Sequence, residues 1–274
     1  MNYGLSTSLF AEERLNSHIL DKILAAGLRD FEIMAARQHL DYHDLNQLRD
    51  VAQWFNDHGV NLHALHAPLF SDWNWGRAGE LLISVASLER RARIASMDEI
   101  KRAIEVAEHL PFRYLVLHLG VPEEEYDLAK FDAAFTSLEH LHLFAKERGV
   151  QILLENIPSE LSTPERMMNF FHYTRLDLKV CFDTGHAHLT GGVGAAFRTL
   201  RERIAAVHLH DNHGEKDEHL LPFEGQIDWA PAIRDFRSAD PPYPLLFETN
   251  SERHDPGILA RLPEVMARLE EFQI

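Results

Sequence analysis

Short apolar runs along this chain keep ending on side chains that bind divalent cations. His66 closes LHALHAP, His118 closes YLVLHLG, Glu155 closes QILLENI, and Asp183 and His186 stand in VCFDTGHAH. His208 and His210 follow in AAVHLHDN, Asp217 and His219 in KDEHL, and Glu248 in PLLFETN. Carboxylates gathered with an imidazole suit a hard or borderline metal such as Mn²⁺, Mg²⁺, Co²⁺ or Zn²⁺. Without a cation, several buried carboxylates would raise one another's pKa and resist ionisation.

For these groups to meet, the runs that carry them must end at one place. Strand-like and helix-like segments alternate from end to end. Tyr3–Leu9, Phe31–Ala35, Val60–His66 and Tyr114–His118 read as the first four strands. Val150–Asn156, Leu178–Asp183, Ala205–His210 and Leu245–Thr249 read as the last four. Ser17–Ala26 and Asp44–Asp57 carry apolar residues at helical spacing and stop at Gly27 and at His58-Gly59. Leu81–Leu110 reads as a long helical stretch broken near Ser96, where Ser-Met-Asp-Glu has the form of a capping box. Leu128–Arg148 ends at Gly149, and a further helix begins with Pro164 in its first turn. A glycine-rich turn (Gly191, Gly192, Gly194) leads to a helix ending about Arg203, and Pro256–Phe272 closes the chain.

Eight strand–helix units in strict alternation imply parallel strands joined by crossover helices. The strands are apolar almost throughout, as strands buried on both faces must be. The expected fold is a single (β/α)8 barrel over residues 1–274, with no linker or second domain. An open doubly wound sheet is the alternative, but no Gly-x-Gly-x-x-Gly turn follows the first strand. Side chains two apart share a strand face. Glu155 should therefore face the barrel interior with Leu153, Asp183 with Cys181, His208 with Ala206, and Glu248 with Leu246. All four polar groups stand at the C-terminal strand ends, the rim where barrel active sites form.

Each piece taken singly has a plainer explanation. A strand-end histidine is more often a hydrogen-bonded structural residue, Asp183 would cap the following turn, and Asp217-x-His219 could be a solvated loop. Chance does not stop so many strands on ligand types, so the set outweighs its members. His39, His43, His58, His140, His142 and His172 lie outside the pattern and are assigned to surface or packing.

Composition narrows the function classes. At 274 residues and 45% hydrophobic, the chain suits one barrel with a large core. A formal charge of -16 argues against a broad grip on phosphate backbones, so nucleic acid is a disfavoured partner. Cys181 is the only cysteine, which rules out an intrachain disulfide and fits a reducing compartment. No signal-like segment opens the sequence and no apolar stretch reaches the roughly 20 residues of a membrane span. A cytoplasmic location without membrane association is expected.

On HAP at 66–68, EN at 155–156, DTGHAH at 183–188, HLHDN at 208–212 and DEHLLPFEGQIDW at 217–229, the chain resembles the xylose isomerase-like barrel superfamily. That group contains ketose 3-epimerases, sugar phosphate isomerase/epimerase proteins and endonuclease IV. The resemblance spans essentially the whole chain. It implies one divalent metal per chain, held by Glu155, Asp183, His208 and Glu248. It further implies that Glu155 and Glu248 act as acid and base on the two faces of a sugar, with His186 contacting sugar oxygens. The metal's share would be to polarise the carbonyl and stabilise an enediolate, worth several kcal/mol. His66, His118 and His210 would add substrate contacts, and Trp73 and Trp75 could stack on a sugar face, close over a small substrate, or pack against the neighbouring loop.

Resemblance to endonuclease IV implies a larger centre of up to three metals. His66 and His118 match its first-metal histidines, with Glu155 as a bridge, and His186, Asp217 and His219 match its third site. Leu69 stands where endonuclease IV has a base-stack-intruding aromatic. No basic stripe interleaved with aromatics is present, and Asn212–Glu218 offers one lysine, Lys216. The primary expectation is therefore a metal-dependent sugar or polyol isomerase or epimerase, with pairing into a homo-oligomer as the family implies. A multinuclear metal phosphodiesterase is the alternative, and a non-catalytic sugar-binding module is a third reading.

Overall fold

Eight parallel strands close a barrel in sequence order, each paired with the next and the last with the first. The computed structural model describes residues 1–71, 73, 82–240, 242–249 and 257–272. The strands are β1 (Tyr3–Ser6), β2 (Asp30–Met34), β3 (Asn61–His66), β4 (Tyr114–His118), β5 (Gln151–Glu155), β6 (Lys179–Asp183), β7 (Ile204–Leu209) and β8 (Leu245–Phe247). Around them run α1 (Ser17–Ala25), α2 (Leu45–His58), α3 (Arg90–Glu105), α4 (Leu128–Lys146) and α5 (Pro164–Tyr173). The last four helices are α6 (Thr184–Leu189), α7 (Val193–Leu200), α8 (Trp229–Arg237) and α9 (Ile258–Glu270). Among the described residues no helix is long and apolar enough to cross a membrane.

Two apolar layers result from the strand alternation. Ala64, Tyr114, Val116, Leu153, Cys181 and Ala206 fill the barrel interior. Ile152, Leu154, Val180, Phe182, Val207 and Leu209 face outward into the layer shared with the helices. This is the parity read from the sequence. A helix such as α2 forms because Asp44 caps it, accepting from the amides of Asn46 and Gln47, while Leu48, Val51, Trp54 and Phe55 supply one buried stripe. It stops at Gly59, whose φ of +59° suits glycine. Burying such a stripe contributes roughly 1.5–3 kcal/mol per large side chain.

Two expectations are corrected. α3 starts at Arg90 with Glu89 as its side-chain cap and runs unbroken past Ser96. The Ser96 hydroxyl instead accepts from the Ser84 amide at 3.1 Å, tying down the preceding segment, so the capping-box pattern is coincidental. After β6 the chain does not wait for the glycine-rich turn. It enters α6 at once, because the Asp183 side chain accepts from the His186 amide at 2.7 Å. That extra turn of helix carries His186 back over the barrel mouth.

Candidate active site

Strand register brings the inner ligands level with one another. His118 pairs with Glu155 across β4 and β5, and Asp183 with His208 across β6 and β7. Glu248 directly follows β8, its amide donating to the Leu209 carbonyl at 3.1 Å, so its side chain enters the same mouth. Glu155, Asp183, His208 and Glu248 are all buried and offer ligand atoms within 4.8 Å of one another. His208 Nδ1 lies 3.2 Å from Glu155 Oε1 and 3.1 Å from Glu248 Oε2.

Two further groups meet the same distance limit. His66, His118 and Glu155 form one, both Nε2 atoms approaching Glu155 Oε2 at 3.2 and 3.0 Å. His186, His210, Asp217 and His219 form the other. Asp217 Oδ2 is 3.1 Å from His186 Nε2 and 3.2 Å from His219 Nε2, and the His210 and His219 rings stack at 4.0 Å. His210 is fully buried in this outer group rather than on the cavity wall. It fits there because Gly185 has no side chain: a Cβ would come within 2.0 Å of the ring.

The outer loop is held by residues that sequence reasoning did not single out. Asp211, fully buried, accepts from the amides of Phe223 and Ile227 and from Trp229 Nε1 at 2.9–3.1 Å. Asn156 clasps Asp183 from both sides, donating to its carbonyl and accepting from its amide. His219 adopts φ +46°, a left-handed conformation costly for a non-glycine residue and typical of positions fixed for a function. Glu32 was also missed. It lies on β2, fully buried, with Oε2 3.0 Å from His208 Nε2. A glutamate inside the apolar run DFEIM was the available signal.

Electrostatics around these groups express a demand for positive charge. Burial opposes ionisation of Glu155, yet His208, His118 and His186 outweigh it and hold the carboxyl well below its ordinary range. Glu248 is likewise held low, against burial, chiefly by His208. Asp217 is held low by His219 and His186 despite burial. Burial also works against charge on His66, but Glu155 pushes it up to about 9. His219 reaches about 9 in the same way beside Asp217, and His186 and His208 rise well above the usual imidazole value. His118 goes the other way, because burial outweighs its bond to Glu155. Burial raises the Cys181 thiol, which leaves it unreactive.

The residues fit divalent cations. Asp183 Oδ2, His186 Nδ1 and both His210 nitrogens are buried without a hydrogen-bond partner. Such orphaned atoms are what a cation would satisfy. His66 Nδ1 donates to the Ala67 carbonyl and His219 Nδ1 to the Glu248 carbonyl, each at 3.0 Å. Those bonds leave Nε2 of both rings free to ligate, the usual way a protein fixes a ligand's tautomer.

All three groups open onto one cavity of about 370 Å³. His66, His118, Glu155, His186, Asp217, His219 and Glu248 line it, with Ser8, Gln38, Met34 and Leu69. Trp73 is 45% exposed, with the Arg37 guanidinium 5.6 Å from its ring centre. Trp75 lies outside the described residues.

A family model described as a xylose isomerase-like TIM barrel matches residues 20–269. The chain belongs to that family. An uncharacterized protein of Sinorhizobium fredii is 30% identical over 66% of this chain, a stretch that spans 62% of the relative. A probable endonuclease 4 of Haloarcula marismortui is 26% identical over 78% of both chains. Among solved structures, a D-tagatose 3-epimerase-like protein superposes with TM-score 0.79 at 26% identity, covering 99% of each chain. The IOLI protein, solved with a bound zinc atom, shares the fold at TM-score 0.79 and 16% identity over 98% of each chain. Family members and structural neighbours thus include epimerases, isomerases and endonuclease IV-like enzymes.

Proposed function

We propose that this protein is a metal-dependent sugar isomerase or epimerase that moves a proton at the carbon beside a carbonyl. The observation that carries this reading is the pairing of Glu155 and Glu248. Both line a cavity of about 370 Å³, both are held ionised, and both converge on His208 Nδ1. The cavity falls in the range of small-molecule sites. An ionised carboxylate lining such a pocket can act as a base, and its conjugate acid as a donor.

One of the two glutamates takes the proton from the carbon, and the other returns one to it. Return to the opposite face inverts the centre; return to the neighbouring carbon isomerises the sugar. His66, His118 and His186 line the same cavity, where their nitrogens meet sugar hydroxyls. When bound by Glu155, Asp183, His208 and Glu248, a divalent cation supplies Lewis-acid polarisation of the carbonyl. The likeness to the D-tagatose 3-epimerase-like protein supports this class of substrate. The zinc in the IOLI protein supports metal dependence.

A second reading is favoured by a separate observation. Glu155 belongs to two of the three ligand groups, and the third adds His186, His210, Asp217 and His219 beside them. A multinuclear centre of that kind suits phosphodiester hydrolysis, in which closely spaced metals serve the attacking and leaving oxygens. The likeness to the probable endonuclease 4 supports it. One experiment separates the readings: Mn²⁺- and Zn²⁺-loaded protein is incubated with free and phosphorylated ketoses and, in parallel, with an abasic-site duplex. Epimer or isomer formation without strand cleavage bears out the proposal, and cleavage without sugar turnover overturns it.

A further inference from the structure

His208 stands between carboxylates on both sides of its ring. Nδ1 faces Glu155 Oε1 at 3.2 Å and Glu248 Oε2 at 3.1 Å, while Nε2 faces Glu32 Oε2 at 3.0 Å. To ligate a metal the ring must be neutral, and a neutral imidazole has a single N–H. If that proton sits on Nε2 and bonds to Glu32, the Nδ1 lone pair points at carboxylate oxygens, an arrangement that a cation between them resolves. If it sits on Nδ1, the Nε2 lone pair meets the Glu32 carboxylate in the barrel interior, where nothing resolves it.

Glu32 has no other evident purpose. It is completely buried, its Oε1 accepts no hydrogen bond, and among the described residues its only ion pair is with His208. A buried carboxylate with one partner is a weak contributor to stability. Its place between Phe31 and Ile33 in β2, fully buried, calls for another role.

We propose that Glu32 is a positioning residue for the metal centre. It accepts the Nε2–H of His208, fixes that tautomer, and so presents Nδ1 toward the space shared with Glu155, Asp183 and Glu248. A carboxylate behind a ligating imidazole also makes the ring a stronger donor. The inference rests on the reading that His208 is a metal ligand, and the test separates the two.

Mn²⁺ affinity is measured by paramagnetic resonance of the free ion for the wild type, His208→Asn, Glu32→Gln and Glu32→Ala, with metal-free melting curves alongside. Glu32→Gln keeps an acceptor but loses the charge, and should weaken Mn²⁺ about 10-fold; Glu32→Ala loses both, for about 100-fold. The metal-free melting curves establish that each variant is folded, so that a loss of affinity is read on folded protein. In ¹⁵N-histidine protein loaded with Zn²⁺, the signal that His208→Asn removes should report metal on Nδ1 and hydrogen on Nε2. Unchanged affinity in both Glu32 variants, with loss in His208→Asn, overturns the inference alone, and so does zinc on Nε2. Unchanged affinity in His208→Asn overturns the metal reading as well. Should Glu32→Ala fail to fold, the nearly isosteric Glu32→Gln and the wild-type spectrum still decide.

Discussion

The inner and outer ligand groups are built from opposite materials. Glu155, Asp183, His208 and Glu248 supply three carboxylates and one imidazole, all at most 4% exposed. His186, His210, Asp217 and His219 supply three imidazoles and one carboxylate, and the Asp217 side chain is 35% exposed. The inner groups stand at or just past strand ends, level by ladder register. The outer ones hang on α6, the end of β7 and a loop pinned by Asp211. Oxygen-rich sets suit Mn²⁺ or Mg²⁺ and imidazole-rich sets suit Zn²⁺. On the proposed reading, the chemistry belongs to the more deeply buried inner group, and the outer one has a separate metal preference.

The largest effect should come from Glu155→Ala, because Glu155 belongs to two groups at once. Turnover should fall by about 10⁴-fold, and elemental analysis should show metal lost from the inner set while the outer set still binds Zn²⁺. Loss of zinc from the outer set alone would break the comparison. Glu248→Gln should melt within a few degrees of the wild type yet lose about 10³-fold in turnover. Near-wild-type rates in that variant would remove Glu248 from the mechanism.

Asp217→Asn sharpens the contrast from the other side. It should abolish outer-site Zn²⁺ binding, measured by chelator competition, while sugar turnover falls less than about 10-fold, the low end of what loss of an outer-shell group does. A collapse of sugar turnover would place the outer group in the reaction and move weight to the phosphodiesterase reading.

The smallest effect is one of pH. In metal-free protein His66 and His219 titrate near 9 rather than at the ordinary 6.5, because Glu155 and Asp217 overcome their burial. Protonated, both bind their partners better folded than unfolded. The stability they contribute is complete below pH 6.5 and is lost as pH rises through about 9. The metal-free melting temperature should drop by roughly 10 °C or more over that range. The loaded protein should change less, since metal replaces those protons. Equal pH profiles with and without metal would contradict the assignment.

Much of this was legible in the sequence, for a physical reason. Parallel strands buried on both faces tolerate a polar group only at their ends, so Glu155, Asp183 and His208 announced both the strands and the rim. The same rule should have flagged Glu32, an acid in the interior of a strand, where only a partner beneath the site justifies it. Asp211 was hidden because its partners lie 12–18 residues downstream, in a loop without periodicity and at the start of α8. Ser96 misled because a capping box is a local pattern, and Glu89 had already capped the helix upstream. His210 read as a substrate contact because sequence places it near the rim but not behind His219, a matter of ring stacking and of Gly185.

The most direct measurement is solvent deuterium incorporation. Mn²⁺-loaded wild type and Glu248→Gln would be incubated with ketoses in D₂O and the recovered sugars read by NMR. Deuterium at the carbon beside the carbonyl with the wild type, and its loss in Glu248→Gln, is the predicted result. Fully loaded protein that exchanges no sugar proton, or a variant that exchanges as fast as the wild type, would contradict proton transfer by the Glu155–Glu248 pair.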